Sequence, residues 1–315
     1  MAPGAAIAAS IPAGAAFAGG SLPLSVLLAL VACLFCAWSV GLLAREMPSA
    51  GSLATYAARG LHPAVGFLVA WGYVLVGFLI PPLVLLQLGF TTAGTLNSEF
   101  HSYPANLWWP WALAGAVIVL AAGFYGVRTS TRLGTILGLF EIGVFVVLAV
   151  FLIVHAGSRN TFSVFGTGYT PKGFRGISGV IGGSVYTILA FGGFEGAAPL
   201  AEEARNPRRT IQRAVLLATL CIGALYVFTT YAVDVAFGPG RFSAFAAETG
   251  NASWEGLARS LYGLFWFFVF LAIVNSTIAN ANAGVNVSSR TAYAMGRIGA
   301  FPRMLAQVQI GRAHV

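Results

Sequence analysis

Charge is what this sequence lacks most. Of 315 residues, 8 % are Asp, Glu, Lys or Arg and 58 % are apolar. A soluble domain carries about 25 % charged residues, so these few cannot cover a water-facing surface. With a mean hydropathy of +0.82, the shortage excludes a soluble globular protein and leaves a polytopic membrane protein. Lysine is nearly missing: among 17 cationic residues, Lys172 stands alone beside the arginines. The net charge of +8 is not a nucleic-acid signal, because the cations sit in short loops between hydrophobic runs, where they set orientation and meet lipid headgroups. Cysteine is scarce too. Cys33 and Cys36 share one apolar run and Cys221 lies in another, so they read as small buried side chains rather than a redox or metal pair. His62, His101 and His155 fall at loop or span ends without an evident partner, which leaves no paired catalytic set for a membrane enzyme. No cofactor or metal is expected. Residues 1–20 lack a basic leading region, so no cleavable signal peptide is expected.

What is present is a series of apolar runs. A helix needs about 20 such residues to cross the hydrocarbon. Runs lie at about 22–44, 65–90, 109–127, 133–155, 178–203, 212–237 and 257–283. Residues 1–20 read as part of an earlier span, broken by Pro3-Gly4 and Pro12. The expectation is an all-α helix bundle with seven full spans and a first span that starts abruptly. One set of loops holds eleven cations (Arg45, Arg59, Arg128, Arg132, Arg205, Arg208, Arg209, Arg213, Arg290, Arg297 and Arg303). The alternate set holds five: Arg159, Lys172, Arg175, Arg241 and Arg259. That asymmetry places the first set, and the end of the chain, in the cytoplasm. Richness in Ala, Gly and Arg fits a GC-rich bacterial genome, hence a bacterial cytoplasmic membrane. Trp108, Trp109 and Trp111 fit an interfacial aromatic belt.

The stretch 190–210, AFGGFEGAAPLAEEARNPRRT, breaks the pattern of plain apolar spans. Gly192, Gly193 and Gly196 each weaken a helix by about 1 kcal/mol relative to Ala, and Pro199 fits the first turn of a new one. The span is expected to stop, unwind near Phe194-Glu195, and restart. Unwound backbone at membrane depth survives only inside protein or beside a watery cavity, where it offers carbonyls to an ammonium and N–H groups to a carboxylate. Such a broken helix points to a transporter site. The alternative is a glycine packing seam, against which the intramembrane Glu195 argues.

GGFEGAAPLAEEARNPRRTIQRAV resembles the sixth span of the amino acid–polyamine–organocation (APC) superfamily of permeases. Three further pieces agree: residues 45–73 (REMPSAGSLATYAARGLHPAVGFLVAWGY), 126–145 (GVRTSTRLGTILGLFEIGVF) and 280–305 (NANAGVNVSSRTAYAMGRIGAFPRML). Four motifs in order cover nearly the whole chain. The resemblance implies a fold similar to LeuT-type transporters, whose halves are inverted repeats with helices 1 and 6 discontinuous. It divides a single transmembrane domain, 1–315, into a first repeat at 1–155 and the start of a second at 178–309. It implies a secondary active permease for amino acids or related amines, working by alternating access, with a bound small-molecule substrate and the lipid bilayer as partners. An inactive or regulatory fragment is the rival reading, because span one lacks its cytoplasmic half and about four further spans of the family do not follow the eighth. Gln212 stands where the family commonly has proline. Residues 310–315 are expected to be a non-native tail, since they can be encoded by ATC GGA AGA GCA CAC GTC, which resembles a sequencing adapter.

Carried onto this chain, the resemblance puts the substrate carboxylate against Gly4, Ala5, Ala6 and Ile7. The ammonium falls to the broken sixth span: Phe191, Gly192, Gly193, Phe194, Glu195 and Gly196. Glu195 is read as gating or orienting more than touching substrate. Glu141 lies about nine residues into span five, where a charge costs on the order of 3 kcal/mol. A carboxyl group escapes that cost by holding a proton, so Glu141 is the candidate coupling residue; the coupling ion is H+, with Na+ as the alternative. A carboxyl locked to a backbone carbonyl or to a polar group of span eight is the structural alternative. Ser276 and Asn280 are placed near the coupling site. Asn275, Asn282 and Asn286 share one helix face and read as interhelical packing. Glu202, Glu203, Asn206, Arg208 and Arg209 are either a cytoplasmic ion-pair gate or topology anchors. Asp234, near the outer end of span seven, reads as interfacial.

Overall fold

The computed structural model describes residues 2–49, 51–104, 106–125, 127–203, 206–245 and 253–306. It contains α-helices and short 3-10 segments, with no strand among the described residues. Six stretches there are long and apolar enough to span a bilayer: Pro3–Glu46, Pro63–Glu99, Gly134–Arg159, Ile177–Ala198, Arg209–Phe237 and Phe265–Arg297. Side chains such as Phe35, Leu68, Phe78, Val154 and Leu189 are more than two-thirds exposed on the outside of the bundle. Only hydrocarbon accommodates such a surface, and the chain is a multi-pass integral membrane protein.

The first stretch is two helices joined by a turn. Helix α1 (Pro3–Ala18) ends in a 3-10 turn at Gly19–Ser21, and α2 (Leu22–Glu46) returns beside it. Tyr169 holds that turn from both sides: Gly20 N donates to its carbonyl (3.2 Å) and Ser21 Oγ accepts from its N–H (3.2 Å). Helix α1 is mostly Ala and Gly, so its neighbours approach closely. It lies at the centre, where Ile7, Ile11, Ala15 and Ala18 join a core with Leu22, Phe145, Leu152, Phe191 and Ile273.

Helix α3 (Ser52–Gly60) forms within the expected loop after α2, and its Tyr56 packs on Ala198, Ile211 and Val215. Helix α4 (Pro63–Glu99) runs through Pro81-Pro82, and α5 (Trp109–Tyr125) is shorter than a full span. Helix α6 (Val127–Ala156) begins six residues before the apolar run at 133, because the polar stretch ahead of it joins the same helix. Helix α7 (Ile177–Ala190) stops short, as its glycines lead one to expect, but it continues as a 3-10 helix, Phe194–Glu203, rather than as a second α-helix. Helix α8 (Pro207–Phe237) follows.

The run read as one span at 257–283 is two elements. Helix α9 (Ser253–Tyr262) is short and amphipathic, and α10 (Phe265–Arg297) is the spanning helix. Gly263, at φ +54°, separates them. Helix α9 lies over the end of α4: Arg259 pairs with Glu99 at 2.5 Å and donates to Ser98 O at 3.3 Å. Trp254 is buried edge-on against Phe145 and Phe245.

Candidate functional site

The N-terminus of α1 is where four helices meet. Pro3 opens the helix and has no N–H, which leaves Gly4 and Ala5 as the first donors without an intrahelical acceptor. Gly4 N donates to Glu141 Oε1 of α6 at 2.8 Å. Ala5 N donates to Ser276 Oγ of α10 at 2.8 Å, and Ser276 Oγ donates on to the same Glu141 oxygen at 3.1 Å. Asn275 Nδ2 serves the other oxygen, Oε2, at 3.1 Å and also reaches Leu137 O at 3.3 Å. Glu141 and Ser276 are wholly buried. Every partner of the carboxylate is a donor, and it sits at the positive end of a helix dipole.

Two more contacts hold the same turn. Gln87 Nε2 of α4 donates to Ala5 O at 2.9 Å, and Asn280 Nδ2 donates to Ala2 O at 3.0 Å. The close approach needs Gly4, since a Cβ there would lie 2.8 Å from the Phe145 ring and 3.2 Å from Ser276 Cβ. Ile7 is buried in the core, and Ala6 lines a narrow apolar crevice between α1, α2, α7 and α8 that Tyr226 closes.

The break after α7 spans 191–193. Phe191 N and Gly192 N turn back to Ile188 O and Leu189 O, and Gly193 takes φ +99°, a backbone that side chains with a Cβ rarely adopt. Gly193 N donates to Glu195 Oε2 at 3.1 Å. Gly192 and Gly193 are exposed, and Glu195 and Gly196 are half-buried. Phe191 is fully buried, edge-on to Tyr226, whose hydroxyl donates to Ala190 O at 3.0 Å. Phe194 bridges the central core and the Tyr56 cluster. The buried Tyr73 hydroxyl of α4 lies beside Glu195.

So the structure gathers Gly4, Ala5, Glu141, Ser276 and Asn280 into one network, and it sets Gly193 and Glu195 in a second, separate contact. The Gly4 and Ala5 N–H groups, read above as receptors for a substrate carboxylate, are taken by Glu141 and Ser276. The expected gate is not drawn together among the described residues. Asn206 and Arg209 are exposed at the start of α8 with no ion pair, and the side chains of Glu202, Glu203 and Arg208 lie outside the described part. The tail 310–315 lies outside it as well. Asn275 reaches Glu141 rather than serving only as packing. Neither it nor Gln87 was singled out as a site residue. A polar side chain adjacent to Ser276, and a glutamine inside an apolar span, were the available signals.

Comparison with known proteins fits this geometry. The family model described as amino acid permease matches residues 2–313. The chain belongs to the amino acid permease family. It is 29 % identical over 294 residues to the low-affinity putrescine importer PlaP of Escherichia coli (strain K12), covering 90 % of this chain and 61 % of the relative. It is 26 % identical over 309 residues to the branched-chain amino acid permease BcaP of Lactococcus lactis subsp. cremoris (strain MG1363), covering 93 % and 64 %. An uncharacterized transporter of Mycobacterium tuberculosis (strain ATCC 25618 / H37Rv), Rv1999c, is 29 % identical over 315 residues, covering 97 % and 64 %. The chain thus spans about three-fifths of the length of these curated relatives.

Proposed function

We propose that this permease chain is the core of a secondary active transporter of amino acids or amines, coupled to protons through Glu141. Relatives named for putrescine and for branched-chain amino acids support that substrate range. The observation that carries the coupling assignment is the capping of α1 by Glu141. A proton added at Oε1 would turn an acceptor into a donor opposite Gly4 N–H and Ser276 O–H. The N-terminus of α1 would lose its cap, and its hold on α6 and α10 would loosen. A ligand or proton moves a two-state equilibrium only through such a difference in contacts.

In this reading α1–α6 form one repeat and α7 opens its inverted partner. The broken segment 191–193 and the half-buried Glu195 face the substrate, and the arginine-rich ends of the helices face the cytoplasm of a bacterium. The test is uptake in proteoliposomes under an imposed pH gradient, with a diamine and branched-chain amino acids as labelled probes. Glu141→Gln is expected to abolish accumulation while leaving exchange and binding. Normal accumulation by that variant refutes the coupling role.

A further inference from the structure

The chain has a single aspartate, Asp234. Read from sequence as interfacial, it is instead wholly buried within protein, in the last turn of α8. Both of its carboxylate oxygens lack a hydrogen-bond partner among the described residues. Thr230, one turn earlier on the same face, is also fully buried, and its hydroxyl is unpaired as well. Buried polar groups are nearly always bonded, so three orphaned oxygens on one face need a partner. The face continues to Tyr226, which borders the crevice beside Ile7, Ser10 and Ile11.

Among the described residues no protein cation answers it. Helix α1 carries no charged side chain, and α2 carries Arg45 and Glu46 only at its opposite end. On α6, His155 is exposed and Glu141 is bonded as described above. Arg241, beyond the end of α8, stacks over the Phe237 ring at 5.0 Å. An isolated carboxylate is expensive to bury, and the negative end of the α8 dipole makes it more so. Both effects are relieved by one positive charge. A divalent ion would need more oxygens and more carboxylates than stand here.

We propose that Asp234 and Thr230 bind a small monovalent cation, a proton or sodium, at a site distinct from Glu141. The two side chains are one turn apart and not bonded to each other, so they can share one ligand between them. The site shares no partner with Glu141 and does not depend on the transport reading.

The 315-residue chain in detergent provides the test. Thermal unfolding is followed as choline chloride is exchanged for sodium chloride at constant ionic strength, with infrared difference spectra across pH. If sodium is the ligand, Tm rises with sodium in the parent and in Glu141→Gln but not in Asp234→Asn. If a proton is the ligand, Tm ignores sodium, and a carboxylic-acid band of the parent disappears in Asp234→Asn. Should Asp234→Asn not yield folded protein, Thr230→Val is read instead. It is expected to raise the half-maximal sodium concentration severalfold, or to shift the acid band. A sodium response that survives Asp234→Asn, or the lack of both a sodium response and an Asp234-dependent band, overturns the proposal. With Thr230→Val as the readout, an unchanged sodium response and an unchanged band do the same.

Discussion

Ser276→Ala is the sharpest probe of the α1 cap. The hydroxyl does two jobs: it accepts from Ala5 N at 2.8 Å and donates to Glu141 Oε1 at 3.1 Å. Alanine keeps the helix and nearly the volume but removes both bonds. A buried N–H left without an acceptor costs about 1–3 kcal/mol, and a hydrogen bond to a charged group contributes about 1.5–3 kcal/mol. The two losses share one oxygen and are not additive, so a net destabilisation of roughly 2–4 kcal/mol is expected. Denaturant unfolding in mixed micelles measures it, with Ser288→Ala as the control. Ser288 lies on the same helix, packs on Gly77 of α4 and bonds to its own turn through Gly284 O; alanine keeps its Cβ there and should change stability by under about 1 kcal/mol. Ser276→Ala and Glu141→Gln together should show a coupling energy of about 0.5–3 kcal/mol. A Ser276→Ala loss no larger than that of Ser288→Ala, or additivity with Glu141→Gln, would refute the cap.

Gly4→Ala should destabilise by about 1–3 kcal/mol through overpacking against Phe145, with the larger part of the loss recovered when Phe145 is cut to Leu; thermal unfolding of the pair reads this out. Gly193→Ala places a Cβ on a φ +99° backbone and should cost roughly 1–2 kcal/mol, whereas Gly196→Ala, with its nearest neighbour 3.6 Å away, should be close to neutral by the same measurement. Burial in the docked α9 pushes the Glu255 carboxyl up from 4.5 to about 7. The docked helix therefore holds its proton more tightly than an undocked one, so docking is strongest below about pH 4.5 and weakens as pH rises through about 7. Hydrogen exchange of the α9 amides should follow that trend in the parent and lose it in Glu255→Gln; flat protection across this range in the parent would dismiss it.

The class of fold and its helical spans were legible because hydrocarbon imposes a crude rule: long apolar runs must become helices. Boundaries were less legible where polar residues join a helix or apolar residues leave one. The arginines ahead of the apolar run at 133 read as loop, yet α6 runs through them. The run through Arg259 read as membrane, yet Gly263 cuts it and frees α9 to pair with Glu99. At the site, Glu141 and Ser276 were legible because a carboxylate and a cluster of hydroxyl and amide side chains are rare inside apolar spans. Their common target was not, since a helix N-terminus bonds through backbone groups that carry no residue identity. Asp234 shows the same limit. Position along the helix gave its depth in the bilayer but not whether lipid or protein surrounds it.

The placement of Glu141 follows from an electrostatic rule. Glu141 is mid-helix, so its own helix dipole does little for it; it borrows the positive end of α1, where Gly4 N–H donates to it directly and Ala5 N–H donates to Ser276. That arrangement needs Gly4, which admits the Phe145 ring. A movement of α1 away from α6 and α10 therefore removes the carboxylate's backbone donor and frees the Gly4 and Ala5 N–H groups in one event. The same two N–H groups can cap on Glu141 and Ser276 or receive a substrate carboxylate, but not both. Competition for one pair of donors would link protonation of Glu141 to binding of an amino acid, and it makes a discriminating demand: a diamine, which has no carboxylate, should bind without the pH dependence that Glu141 gives to an amino acid. Equilibrium binding of both ligands at several pH values separates the cases. An amino-acid affinity that stays flat with pH in the parent chain, or that keeps its slope in Glu141→Gln, would show that the α1 cap and the substrate do not compete.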